Sequence, residues 1–311
     1  TYSTNHIKSS IWGSKIKNSI EVADSLLTLG LDTSVRSWKG QRSTTNVASG
    51  IETLGLASLD STDTTHKDIF SKVEKSFGKL DLEFGSRYDY SDVDSSSISN
   101  EDKNYVAFNA NVFGIYNVDE NTKYFAGIGK SSRVPDAREL YMGANNDLED
   151  TKNYEADIGL DKTIGAFNIR PKLFYSELKD YIYNTSYNST PTTTVTRFDN
   201  VDAKVYGLDI SGFYFMTENF SLDYGMAYQR GKKDGDYSDK DLAEIPPLKA
   251  NLALNYEHAK SKYTAEIVAV DSWDSFDDSA KEQEIAGYAV TNLKYTQELF
   301  KHFELTLGVD N

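Results

Sequence analysis

Apolar and polar residues alternate with period two along most of the chain. In "KLDLEFGSRYDY", Leu80, Leu82, Phe84, Tyr88 and Tyr90 fall on one side, with Asp81, Glu83, Arg87 and Asp89 on the other. The same alternation runs through "NYEADIGLDK", "NFSLDYGMAYQ", "PLKANLALNYE" and "HFELTLGVDN". A repeat of two means extended strands with one apolar and one polar face. No segment carries a comparable helical stripe. Six breaks in the pattern are short, near Gly78, Asp119, Thr163, Thr217, Ala259 and Glu298. Six others, at roughly 40–66, 91–103, 134–151, 184–198, 231–246 and 272–285, read as long polar loops by their turn chemistry and loss of period. The result is an all-β, antiparallel up-and-down meander with tight turns at one end and large loops at the other. It predicts about fourteen strands of roughly 10–15 residues, longer than the ~5–6 of ordinary globular strands.

Two architectures accommodate strands of this kind. A soluble β-sandwich turns apolar faces inward against each other. A transmembrane barrel turns them outward to lipid around a polar lumen. Strand length favours the barrel, since a tilted spanning strand needs about 9–11 residues. So do the 21 tyrosines, which exceed the 15 phenylalanines and include Tyr88, Tyr116, Tyr124, Tyr175, Tyr214, Tyr256 and Tyr263 near strand ends. Tyrosine suits an interface that is wet on one side and greasy on the other.

Composition narrows the function. A net charge of −15 argues against a nucleic-acid partner. With no cysteine there is no disulfide frame and no thiolate metal site. "GIGKSS" lacks the first glycine of a phosphate loop, Tyr124 standing in its place. The histidines are His6, His66, His258 and His302; only His66 falls in a predicted large loop, without a partner for catalysis, so no catalytic residue and no enzyme activity are expected. No resident metal or cofactor is expected either. The acidic loop stretches match no defined calcium spacing, and Met142 is the only loop methionine for a soft metal.

Several stretches, taken in order, resemble TonB-dependent outer-membrane receptors. "FAGIGKSSRVPDARELY" is similar to the family's strand leading into "SR-x-P-…-ELY". "TKNYEADIGLDKTIGAFNIRPKLFYSELKDYIYN" resembles its "Y-E-x-G" strand, tight turn and long following strand. "FDNVDAKVYGLDISGFY" resembles its "N-x-x-A-x-x-x-G-x-E/D" strand, with Asn200, Ala203, Gly207 and Asp209 in place. "LAEIPPLKANLALNYE" and "YAVTNLKYTQELFKHFELTLGVDN" resemble its proline-led strand and penultimate hairpin. The resemblance is strongest over residues 68–311. It implies the later part of a plugged barrel of about twenty-two strands. The remaining strands, signal peptide, TonB box and plug are then expected in a longer protein. Residues 1–311 would be a partial barrel domain in the outer membrane of a Gram-negative bacterium. Expected partners are outer-membrane lipid, the TonB complex through a plug, and a small-molecule or metal-chelate ligand such as a ferric siderophore. A passive porin-type channel and a soluble sandwich with a structural or adhesive role are the alternatives.

Pro135 cannot donate to a ladder and should mark where its strand leaves the sheet. Arg133 would then lie at the extracellular mouth, facing the lumen, either paired with Asp136 or Glu139 or touching ligand. Ligand-binding candidates are Arg133, Arg138, Tyr141, Tyr183, Tyr187 and Trp273, since ligand sites combine aromatic surface with a few polar groups. The loops hold more acid than base, which points to a neutral or cationic ligand, or a metal complex of low net charge.

Overall fold

In a computed structural model, which describes residues 1–190, 193–280 and 282–311, those residues form sixteen strands, one short α-helix and one 3₁₀ turn at Asp278–Ala280. In order these are β1 (Tyr2–Val22), β2 (Ser25–Thr45), β3 (Glu52–Phe77), β4 (Leu80–Ser95), β5 (Lys103–Asp119), β6 (Thr122–Arg133), α1 (Ala137–Tyr141), β7 (Thr151–Ile164) and β8 (Phe167–Asn184). There follow β9 (Tyr187–Thr190), β10 (Thr193–Val195), β11 (Phe198–Phe215), β12 (Phe220–Lys233), β13 (Lys249–His258), β14 (Ser261–Val270), β15 (Tyr288–Phe300) and β16 (Phe303–Val309). Fourteen of them make one antiparallel sheet in chain order, while β9 and β10 form a separate hairpin within a loop. The sheet is an open partial barrel with β1 and β16 at its edges.

Facing follows the register. Leu82, Phe84, Tyr154, Ile158, Leu252, Leu254, Leu305 and Leu307 are all exposed. Leu222 and Tyr224 share their face through the pairs Leu222↔Leu254 and Tyr224↔Leu252. Among the described residues the other sheet is only the β9–β10 hairpin, and none of these side chains is buried, so a sandwich is excluded. The opposite face carries Asp81, Glu83, Glu155, Asp157, Asp223, Asn251 and Glu304. Its charges pair along and across strands: Arg87 takes Asp89 on its own strand and Asp68 on β3, Lys172 takes Asp157 at 3.3 Å, and Arg170 takes Asp161 at 3.1 Å.

On the apolar face a line of rings follows the short-turn end. Phe167 stacks on Tyr224 at 5.9 Å, and Phe220, Tyr256, Tyr263 and Tyr295 follow at 4.6, 6.1 and 4.8 Å. Tyr154, Tyr175, Tyr206 and Tyr228 form the second line towards the large loops. Phe167 to Tyr175 is a step of eight residues, about 26 Å along a strand. At a tilt near 40° that is about 20 Å of height, close to the ~25 Å apolar band of a membrane barrel.

Two expectations are corrected. Residues 40–66 are not a long loop: β2 and β3 run through them and turn at 46–51. His66 accordingly sits within β3, its Nδ1 2.8 Å from Ser91 Oγ. Several strands also exceed the expected length, β3 reaching 26 residues. The short turns lie as expected, two of them using glycine at positive φ, Gly78 at 64° and Gly165 at 58°.

The buried core gathers at the large-loop end. The loop carrying α1 lays Leu140 and Leu148 on the polar face against Val93, Tyr105 and Ile182. The β12–β13 loop lays Leu242 against Tyr183, Val201 and Ala203.

Candidate functional site

Pro135, fully buried, ends β6 as expected, and a tight piece of chemistry follows it. Asp136 caps α1, its Oδ1 accepting from the backbone N–H of Arg138 at 2.8 Å and Glu139 at 3.0 Å. Glu139 reaches back to the Asp136 N–H at 2.8 Å, completing a capping box. The same carboxylate takes both Arg133 guanidinium nitrogens, at 2.8 and 2.9 Å. Such a planar, two-point pair fixes the arginine more firmly than a point charge would. Arg133 is therefore aimed by α1, and of its two expected partners Glu139 takes the pair.

Arg133 lies where two cavities meet. One, about 630 Å³, runs down the polar face and is lined by His66, Asp68, Arg87, Asp89, Arg133 and Asp136 among others. The other, about 530 Å³, lies under the loops between Arg133, Arg138, Tyr181, Tyr183, Phe198 and Glu244. A cavity of about 850 Å³ at the short-turn end holds none of the candidate residues. The loop cavity has two arginines, Arg133 and Arg138, against four carboxylates, Asp136, Glu139, Glu244 and Glu282. Arg133 is already neutralised by Glu139, while Arg138 is exposed and has no ion pair among the described residues.

The other candidates separate by burial. Tyr183 is buried: it donates to Asp277, accepts from the Ala243 N–H at 2.9 Å, and lies 5.3 Å from the Lys233 ammonium. Lys233 forms an ion pair with Asp277, with side chains only 3% and 0% exposed. Asp277 donates its N–H to Glu282 at 2.9 Å, and Glu282 accepts from Glu244 N at 2.7 Å. This network pins the β14–β15 loop to β8 and β12. Trp273 belongs to the same loop, buried under the Arg230 guanidinium at 5.3 Å and bridged to Ile285. Tyr183 thus shows the loop cavity only part of its ring, and Trp273 is packing between loops. Tyr141 is half-buried and donates to the Glu101 carbonyl at 2.7 Å; burial, with Asp102 and Asp94 nearby, pushes its phenol up to about 12. Tyr187 stands exposed on the β9–β10 hairpin, apart from the cavity. The structure therefore gathers Arg133, Arg138 and Tyr183 at one cavity, and leaves Tyr141, Tyr187 and Trp273 outside it.

Tyr181, Phe198 and Glu244 line the cavity without having been singled out from the sequence. A bulge explains the first. Asp180 has φ 54°, and the β8–β11 register shifts between Val201 and Ala203. The extra residue brings Tyr181 and Tyr183 beside Leu178 and Val201, where strict alternation would divide them from Leu178. The only sequence signal was the aromatic repeat in "DYIYN".

The family model described as "TonB dependent receptor-like, beta-barrel" matches residues 3–311. Among solved structures the chain is similar to the copper transporter OprC, at 20% identity and a TM-score of 0.86, covering 99% of this chain and 51% of that one. It is similar to the FrpB iron transporter from Neisseria meningitidis (F3-3 variant), at 15% identity and 0.74, covering 98% and 51%. It is also similar to the ferric citrate transporter FecA in its unliganded form, at 16% identity and 0.76, covering 99% and 50%. The chain thus spans about half the length of each. No curated protein matches.

Proposed function

The chain belongs to the TonB-dependent receptor family through its β-barrel domain, and from that premise we propose that it is the later part of an outer-membrane receptor wall that takes up a scarce solute by TonB-driven import. The observation that carries this reading is the position of Arg133. It lines both the loop cavity and the cavity along the polar face, so a solute held under the loops lies at the entrance to the lumen. A partner segment in the lumen would respond to occupancy through that shared wall.

The cargo is a metal complex of low net charge. The similar structures are described as copper, iron and ferric citrate transporters, which supports a metal cargo. Among the described residues no three His, Cys, Asp or Glu side chains converge as metal ligands, which favours a metal already wrapped in a chelator. The excess of carboxylates in the loop cavity disfavours a bulky anion. Tyr181, Phe198 and Arg138 supply the contact surface, Arg133 directs hydrogen bonds at the entrance, and Tyr183 and Trp273 act by holding the loops.

Uptake of labelled ferric chelates, graded from cationic to tri-anionic, into cells carrying the whole receptor tests the reading. Neutral and cationic chelates should enter, Arg133→Gln with Arg138→Gln should slow them, and dissipating the proton gradient should stop them. Uptake that continues without the gradient would mark a passive channel. Preference for the tri-anion would overturn the charge argument alone.

A further inference from the structure

We infer that the outward face carries a seat for one phosphate-bearing lipid, its acyl chain in a groove across β5–β8 and its headgroup on Lys130. The inference rests on the reading above that this face meets a membrane. Two adjacent rows of the sheet build the groove. One is Val112, Ile128, Ala156 and Tyr175; the other is Ala110, Lys130, Tyr154 and Glu177. Ala110 and Ala156 leave a hollow between the larger side chains, about 450 Å³ and almost wholly apolar.

Lys130 supplies the charge. Its Nζ donates to the Phe108 carbonyl at 3.0 Å, so the side chain bends towards the large-loop end, as a lysine does when it carries its ammonium out of an apolar layer. Among the described residues no carboxylate forms an ion pair with it, and the nearby Glu177 is engaged by Lys179 at 3.0 Å. On the neighbouring strands β7–β12, the lysines of this face that lie nearer the loops are paired. Lys152 holds Asp180 at 2.8 Å, Lys179 also holds Asp202 at 3.0 Å, Lys204 holds Asp234 at 2.9 Å, and Lys232 holds Asp241. An unpaired cation at the edge of a low-dielectric layer calls for an anion. A phosphate with an acyl chain attached satisfies the cation and the hollow together.

A second groove gives an internal comparison. It is about 440 Å³, towards the short turns, between Leu254, Tyr263, Ala265, Leu293, Leu307 and Val309. Lys294 borders it, but the pairs Thr264↔Lys294 and Lys294↔Gly308 put that side chain on the polar face. This groove has apolar shape without charge and should accept any acyl chain.

The test uses the whole receptor in neutral detergent, given equal phosphatidylglycerol and phosphatidylcholine, with retained lipids weighed by native mass spectrometry. One phosphatidylglycerol should be kept over phosphatidylcholine by about tenfold, a difference of about 1.4 kcal/mol. Lys130→Gln should erase the preference, Ala156→Phe should remove the retained lipid, and Ala265→Phe should change neither. Inorganic phosphate should not displace the lipid. A preference that survives undiminished in the Lys130→Gln protein, displacement by phosphate alone, or a groove covered by a second receptor copy that Ala156→Phe releases would each overturn the seat. A receptor that stays soluble and monomeric without detergent would instead defeat the membrane-facing reading. One that needs detergent yet shows no preference would defeat only the lipid seat.

Discussion

Lys233 and Asp277 form an ion pair that is almost wholly buried under the loops, with the Tyr183 hydroxyl as a further donor to the carboxylate. Removing one charge from such a pair leaves the other desolvated and alone, a cost of about 3–5 kcal/mol. Lys233→Met should therefore release the β14–β15 loop, seen as faster hydrogen exchange from Trp273 to Ile285 while the β7–β8 amides stay protected. Tyr183→Phe leaves both charges in place and removes a hydroxyl that donates to the carboxylate and accepts from the Ala243 N–H, so it should cost less, about 1.5–3 kcal/mol. Equal exchange in all three proteins would show that the loop is held elsewhere. Tyr141 makes a second prediction. Its phenol is lifted to about 12, above the ordinary tyrosine value near 10. Between these values the folded protein keeps a proton that the unfolded chain releases, so stability falls as pH rises through this window and is fully present below it. A Tyr141→Phe protein should lose less stability from pH 10 to 12 than the parent, measured by denaturant unfolding. Identical slopes would remove this tyrosine from the account.

At the scale of single elements, α1 has five residues and depends on its cap rather than on its own hydrogen bonds. Asp136→Ala should cost about 1 kcal/mol locally and loosen Glu139, so that Arg133 loses its fixed aim. Exchange at Leu140 and Tyr141 reads the first effect, and slower chelate uptake the second. Strands offer a sharper contrast. Leu252 faces outward and Asn251, beside it, faces the polar side. Leu252→Arg should cost about 2–4 kcal/mol in refolding into bilayers if it lies near the midplane, while Asn251→Arg should be tolerated among hydrated charges; equal costs would refute the facing. That facing was legible because each spanning stretch meets lipid on one side and water on the other, which imposes period two. Residues 40–66 hid two strands because polar side chains fill both faces there, as in Arg42, Ser43, Thr44 and Thr45, and alternation vanishes with the difference between the faces. The place of Arg133 was legible from the proline beside it, while its partner stayed open between Asp136 and Glu139 until the α1 cap put Glu139 there. The Asp180 bulge was not, since a register shift depends on the partner strand β11, far away in sequence.

Across the whole molecule, three tryptophans sample three environments. Trp12 pairs with Val35 on the outward face and is 71% exposed. Trp38 lines the cavity on the polar face, with the Arg36 guanidinium 4.6 Å above its ring. Trp273 is buried among the loops. If the sheet is a membrane wall, these are lipid, lumen and mouth, and fluorescence can tell them apart. In vesicles whose acyl chains are brominated near the headgroup, Trp12 alone should be quenched, and Trp12→Phe should remove nearly all of that quenching. Aqueous iodide should reach Trp38 and spare Trp273, because the loops that bury Trp273 are tied down by Lys233 and Asp277. Lys233→Met should then open Trp273 to iodide without altering the bromine signal, since that pair is buried under the loops with Tyr183 while Trp12 stands on β1. Bromine quenching that persists in the Trp12→Phe protein would mean that lipid reaches the polar face, and the wall would have been read inside out.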